Sequence, residues 1–387
     1  MYNLKAIVVG AGIGGLTTGI ALRRAGYAVE VYEKTRELRP AGAGISLWSN
    51  GVKVLNALGL GDRLAAIGGQ MNAMTYRSHT DELLSEISLQ PLIATVGQRP
   101  YPVARTDLQV LLLTAFGEAD VHLGKHCVAV EQTADSATAI FADGSCATGD
   151  LLIGADGVRS TVRQYLLGRE QAPRYAGYVN WNGLVPASPD LAPADVWVIY
   201  VGEGKRASMM PVGGDRFYFF FGSPMSAGTT VEPAQRRDEL AQQFAGWPQP
   251  VQRLIERLNP LQTNRLEISD LEPLEHLVNG RIALLGDAGH ATTPTLGQGG
   301  CQAIEDAEVL WRSLVTTNIS VADALQRYEQ ARKERTANLV LKARKRTATI
   351  YGKDPDQTQA WYDQLKVESP SDVTDALAKV ILAGPYG

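Results

Sequence analysis

Three glycine clusters, each at the end of a strand-like run, hold the residues of this chain best suited to chemistry. The first is Gly10-Ala11-Gly12-Ile13-Gly14-Gly15, a GxGxxG. Gly10 permits a tight turn out of a strand, Gly12 lets a pyrophosphate approach the backbone, and Gly15 lets the next helix pack close. The helix N-terminus adds amide donors and a partial positive charge. Glu33 follows at the roughly 20-residue interval where a carboxylate accepts from ribose hydroxyls, which excludes a 2′-phosphate there. The second cluster is Gly154-Ala155-Asp156-Gly157, followed by Val158-Arg159-Ser160; taken alone, it also reads as an ordinary turn with a surface aspartate. The third is Gly286-Asp287-Ala288-Gly289-His290, followed by Pro294 and Gly297-Gln298-Gly299-Gly300. Asp287 could accept from a ribityl hydroxyl, and amides at 297–300 could face an electron-rich ring edge. By itself this stretch also reads as a loop.

Hydrophobic patterning supplies the elements that must position these groups. LKAIVVG at 4–10 suits a buried parallel strand, Leu16–Ala25 a helix, and Tyr27–Glu33 a second strand, a complete βαβ unit. Helices are expected at 52–67 and about 106–117. VAVEQ and TATAIFADG alternate like a hairpin, and LLIGADG at 151–157 reads as another buried strand. Residues 175–221 are rich in Tyr, Trp, Phe and Val and read as several antiparallel strands. A polar helix fills 232–246, RIALLGDAGH at 281–290 returns to a buried strand, and 299–349 is helical. The basic residues at 332–346 are expected on a solvated helix face.

Length and composition bound the answer. At roughly 150 residues per domain, 387 residues suggest two or three domains. Lysine plus arginine number 37 against 41 aspartate plus glutamate, a net charge of −4, so no basic field gathers nucleic acid. No apolar stretch approaches the ~20 residues of a membrane span, and no secretory leader pattern stands at the N-terminus, so no membrane partner and a cytoplasmic location are expected. The three separated cysteines disfavour a disulfide framework, and the five histidines have no metal spacing.

In order and spacing, the three clusters resemble the group A, para-hydroxybenzoate-hydroxylase-like flavoprotein monooxygenases across most of residues 5–350. The resemblance implies FAD held permanently and a visiting NADH, with NADPH left open. It implies an α/β fold with a β-rich insert: a discontinuous Rossmann-like FAD-binding domain (1–72, 99–172, 273–352), an antiparallel-sheet substrate domain (73–98, 173–272) and a helical C-terminal tail (353–387). By that resemblance Gly10, Gly12, Gly14 and Gly15 lie at the FAD pyrophosphate and Glu33 binds the adenosine ribose. Arg105 opens the helix beside the flavin, Asp156 serves both FAD and the pyridine nucleotide, and Asp287 binds the ribityl region. Gly297, Gly299 and Gly300 lie near the isoalloxazine. Lys34, Ser46, Val128 and Gln298 complete the implied cofactor set.

Such enzymes direct an electrophilic flavin C4a-hydroperoxide at an electron-rich anion, so the insert sets the substrate. Arg206 in VGEGKRASMMP and Tyr218 in RFYFFF are the candidate catalytic residues. Lys205 and Arg216 compete with the first, and a core role competes with the second. The segments RYAGYVNWNGLV, VGEGKR, RFYFFF, GDAGHATTP, GQGGC and VLKARKR resemble the urate-hydroxylating branch of the family. That resemblance implies urate and dioxygen as substrates and 5-hydroxyisourate as product, a step of urate catabolism, with Arg206 coupling NADH oxidation to hydroxylation. The alternatives are another aromatic or N-heterocyclic anion, or a flavin-binding redox sensor without turnover. No obvious base appears: the Thr292–Gly300 loop lacks a carboxylate, and His290 is a weak candidate.

Overall fold

The computed structural model describes residues 4–38, 44–316, 319–352 and 354–386. Lys5–Val9 is almost wholly buried and pairs in parallel with Ala28–Glu33 on one side and Leu151–Gly154 on the other. The full sheet runs Val278–Asn279, Ile282–Leu284, Leu151–Gly154, Lys5–Val9, Ala28–Glu33, Val121–Leu123; only the first pair is antiparallel. Its central strands are buried on both faces, hence their uninterrupted apolar runs. The carboxyl ends of Lys5–Val9, Leu151–Gly154 and Ile282–Leu284 lie side by side, so all three glycine clusters open onto one edge. Gly10 has φ +111°, and a Cβ there would collide with the Ala155 carbonyl. The first two clusters therefore touch backbone to backbone.

A second sheet of seven strands runs Asn264–Asp270, Arg174–Pro186, Arg216–Pro224, Lys205–Val212, Val196–Gly202, Ala73–Ser78, Leu83–Ser88. It departs from the expected all-antiparallel pattern: Val196–Gly202 pairs in parallel with Ala73–Ser78. Those two strands come from distant segments, so no hairpin dictates their direction. Alternation divides the sheet into two chemically distinct faces. Val179, Trp181, Ala207, Met209, Phe217, Phe219 and Phe221 point one way and bury against Leu240, Val251 and Leu254 of two helices, Arg236–Gln243 and Gln249–Arg257, and against Phe244, which ends the first. Tyr178, Asn180, Arg206, Met210, Tyr218 and Phe220 line a cavity against the parallel sheet.

Helix Gly299–Leu314 packs on helix Ile13–Arg24, and the 31-residue helix Val321–Tyr351 crosses both halves. The expected solvated basic face of 332–346 is present at Lys333, Lys342 and Lys345, which are exposed, and is corrected for the arginines. Arg332 is 1% exposed, donating to Asp306 at 2.6 Å and Glu305 at 2.7 Å. Arg335 also binds Glu305, Arg344 binds Asp270 and Glu272, and the Arg346 guanidinium stands 4.5 Å from the Trp361 ring centroid. The tail helices Pro355–Val367 and Pro370–Leu382 touch this helix, and carboxylates from other segments meet Arg332, Arg335 and Arg344. Among the described residues no helix is long and apolar enough to cross a membrane.

Burial alone would raise the Asp306 pKa, but His290 and Arg332 outweigh it and hold this carboxyl well below the usual range. Arg332→Ala leaves Asp306 with His290 and Glu305 with Arg335 as their remaining cationic partners and is expected to cost about 3–5 kcal/mol, read by denaturant unfolding. A loss under about 1 kcal/mol would show that the network contributes little to stability.

Candidate active site

A cavity of about 370 Å³ lies between the two sheets, and a narrower cleft of about 180 Å³ continues from it along the parallel-sheet edge. Gly12, Ala155 and Gly157 line both, so the two form one bent trough. At the narrow end stand Gly10, Glu33, Lys34 and Asp156. At the wide end stand Gly14, Ser46, Arg105, Asp287, Gly297, Gly299 and Gly300 on one wall, with Arg206 and Tyr218 on the other. Most of the residues singled out from sequence are thus brought to a single surface.

The trough fits an elongated dinucleotide. A Cβ at Gly12 would meet no atom within 4 Å, so the wall is open there, whereas one at Gly15 would strike the Gly10 carbonyl. Gly12 precedes helix Ile13–Arg24, whose free amides suit a pyrophosphate. Glu33 accepts from the Ala11 amide at 2.9 Å and the Thr35 amide at 3.0 Å, which fixes its carboxylate in the narrow cleft. Asp156 accepts from the Thr161 and Val162 amides through one oxygen, while its other oxygen is buried without a partner. Burial raises its pKa. Arg163 bridges the second and third clusters, donating to the Val158 carbonyl at 2.7 Å and the Ala288 carbonyl at 3.0 Å. Gly297 has φ +63°, and a Cβ there would come within 3.0 Å of the Trp48 indole nitrogen.

Two candidates lie elsewhere. Gln298 turns its side chain away from the cavity and accepts from Asn50 at 2.9 Å. Val128 is 47% exposed and its side chain lines neither cleft, although its neighbour Cys127 lines the narrow one. His290 is buried against Asp306, Nε2 to carboxylate at 2.6 Å, and does not line the cavity, so it supports the loop rather than facing a ligand. Lys205 binds the Gln243 carbonyl and Arg216 binds Asp107, which leaves Arg206 as the cation of the insert in the cavity wall.

Arg206 is 5% exposed, forms no ion pair among the described residues, and its Nε has no acceptor. The Phe220 ring centroid lies 5.2 Å from its guanidinium carbon. Tyr218 packs directly over Gly44 of the facing wall, where any side chain would collide with its ring. Burial raises the pKa of Tyr178, Tyr218 and Tyr351 alike, so all three phenols are neutral near pH 7. Sequence reading missed Tyr178, Asn180, Trp197, Phe220 and Tyr351. Period-two alternation from Arg206 and Tyr218 would have reached several of them; Tyr351, at the end of a long helix, carried no local signal.

The family model described as "FAD binding domain" matches residues 3–343. The chain belongs to the group A flavoprotein monooxygenases and is an FAD-dependent enzyme. It is 49% identical over 385 residues to the FAD-dependent urate hydroxylase of Klebsiella pneumoniae subsp. pneumoniae, covering 99% of this chain and 100% of that one. It is 48% identical to the FAD-dependent urate hydroxylase of Mycolicibacterium vanbaalenii, covering 99% and 98%. The crystal structure of Klebsiella pneumoniae HpxO with FAD and uric acid superposes with a TM-score of 0.96 at 48% identity, over 99% of this chain and 98% of that one.

Two glycines separate ligand contact from folding. Gly12→Leu is expected to remove most bound flavin while moving unfolding free energy by no more than about 0.5 kcal/mol. Gly10→Ala is expected to destabilise the fold itself, through its φ and the Ala155 contact. Full flavin content in Gly12→Leu would contradict the cradle.

Proposed function

We propose that this enzyme hydroxylates urate at C5, giving 5-hydroxyisourate, with NADH as reductant and dioxygen as oxygen source. The observation that carries the reading is Arg206: a buried guanidinium in the cavity wall, without an anionic partner among the described residues. An unpaired buried cation is costly, and an anionic ligand relieves it. The full-length likeness to urate hydroxylases supports urate as that anion.

Residues of 1–72, 99–172 and 273–352 would hold the cofactor, and those of 73–98 and 173–272 the substrate. Gly10, Gly12 and Gly15 would accommodate the pyrophosphate, Glu33 the ribose, and Asp287 with Gly297–Gly300 the flavin end. Bound FAD, reduced by the nicotinamide, supplies electrons and an activated oxygen atom. The chain's own residues bind, orient and desolvate. Arg206 presents a planar fork of donors to the urate oxygens and favours further negative charge on the ring. The neutral phenols of Tyr178, Tyr218 and Tyr351 place no competing negative charge beside it. Trp197, Met210, Phe220 and Leu285 exclude water.

Proton removal at urate has no dedicated base on the Arg206 wall. Asp287 is the cavity's only carboxylate among the described residues, and it belongs to the parallel-sheet side. The loop offers hydroxyls: Thr292 and Thr295 line the cavity, and Thr295 donates to the Ala343 carbonyl at 3.0 Å. The Arg206 field lowers the cost of a urate dianion, its proton passing to a water that the Thr292 and Thr295 hydroxyls would orient.

Aerobic turnover of the holoenzyme with NADH, with and without urate, tests the reading. Urate loss should match NADH loss with little peroxide; peroxide alone would point to a different ring anion, and no response to urate to a non-turnover flavoprotein. Arg206→Gln is expected to weaken urate binding or divert reducing equivalents to peroxide by about tenfold or more. Tyr218→Phe would remove at most one hydrogen bond to the ligand, about 0.5–1.5 kcal/mol, and should do less.

A further inference from the structure

We propose that the end of the long helix and the C-terminal tail together complete the anion site, with Tyr351 of the former and Tyr362 of the latter positioning Arg206. The inference rests on the reading of Arg206 as the substrate-binding cation. It begins with the physical problem that a flexible guanidinium, lacking a carboxylate to hold it, must be aimed by something else.

The Arg206 guanidinium donates to the Tyr351 hydroxyl, and three contacts fix that phenol and the neighbouring turn. Arg206 lies two residues after a tight hairpin turn in which Glu203 and Gly204 both have positive φ, 51° and 66°. The Gly204 amide donates to the Tyr362 hydroxyl at 3.2 Å, so the tail helix Pro355–Val367 grips that turn. Across the sheet, Arg206 sits opposite Gly222. The Tyr351 hydroxyl fills the space where a Gly222 side chain would stand, with its Cζ 2.7 Å from the position of the missing Cβ. Only glycine at 222 lets this phenol in beside the guanidinium. The third contact holds Tyr351 itself: its ring stacks on Tyr178 with centroids 4.0 Å apart and planes 14° from parallel. Burial raises the Tyr351 pKa against the opposing pull of Arg206, so the group beside the guanidinium is a neutral phenol. A carboxylate there would pair with Arg206 and compete with the substrate; a phenol offers an oxygen without that charge.

The experiment uses holoenzyme and three single variants, Tyr351→Phe, Tyr362→Phe and Gly222→Ala, together with Arg206→Gln and the pair Arg206→Gln/Tyr351→Phe. Readouts are FAD content, the urate Kd from the flavin difference spectrum, and product formed per NADH consumed. Tyr351→Phe keeps the stack and removes the oxygen, whereas Gly222→Ala keeps the oxygen and displaces it. Each should raise the urate Kd and the peroxide share about threefold to tenfold, with FAD content retained. Tyr362→Phe should move both in the same direction by less. In the Arg206→Gln background, Tyr351→Phe should add almost nothing, because it acts through the missing guanidinium.

Outcomes separate the two layers. Normal affinity and coupling in Arg206→Gln would overturn the substrate reading, and the positioning proposal with it. An impaired Arg206→Gln beside normal Tyr351→Phe and Gly222→Ala would overturn positioning alone. So would a full additive effect of Tyr351→Phe in the Arg206→Gln background. If Gly222→Ala does not fold, the Tyr351→Phe cycle still decides.

Discussion

The buried ion network around Arg332 underlies the rest of the molecule. Asp306 receives Arg332, His290 at 2.6 Å and the Gly286 amide at 2.8 Å. Glu305 receives Arg332, Arg335 and, at 2.6 Å, Asn50. Four segments meet there: the Gly286–His290 turn, the helices Ser49–Ala57 and Gly299–Leu314, and the long helix Val321–Tyr351. One end of this arrangement sets the backbone beside Asp287. The far end of the long helix delivers Tyr351 to Arg206. Two opposed charges per side, each with its hydrogen bonds filled, can be taken from water only when all of these segments are in place.

Arg332 and Arg206 form an instructive contrast. Both are buried, at 1% and 5% exposure. Arg332 has two internal carboxylates and is therefore inert; Arg206 has none and is therefore available. The surrounding phenols extend the same logic, since burial keeps them protonated and leaves the pocket with a positive balance on that wall. Chain-wide charge, at −4, says nothing of this. Binding is decided by which charges are left without partners after folding.

What could be read in the sequence follows from the range of the interactions involved. Gly10 is demanded by its positive φ and Gly15 by its contact with the Gly10 carbonyl inside one βαβ unit, while Gly12 leaves the wall open, and the spacing of the three exposed them together. Arg206 and Tyr218 stood out through wording shared with a known family. The sidedness of the insert was also implicit in its alternation, yet an aromatic run such as RFYFFF hides which alternate residues face a cavity. Gln298 is the opposite case: its place in a glycine run pointed to a ligand, but its amide is taken by Asn50, 248 residues away in sequence. The arginines of the basic run at 332–346 read as solvated like its lysines because their partners, Glu305, Asp306, Asp270 and Glu272, come from other elements. Tyr351 was out of reach for the same reason.

The trough draws its walls from Gly12 at one end of the chain to Tyr351 near the other. The central strand Lys5–Val9 leaves the ribosome well before its neighbour Leu151–Gly154, and Ile282–Leu284 comes later still. During synthesis the glycine cradle therefore exists as a half-built edge for most of the time the chain is being made. Such long-range pairing is slow to close and exposes apolar strand edges while it waits. The flavin can meet its complete site only once the chain has been made through the Gly297–Gly300 run, so cofactor capture waits on the third cluster, and its yellow colour would report that this cluster has joined the first two.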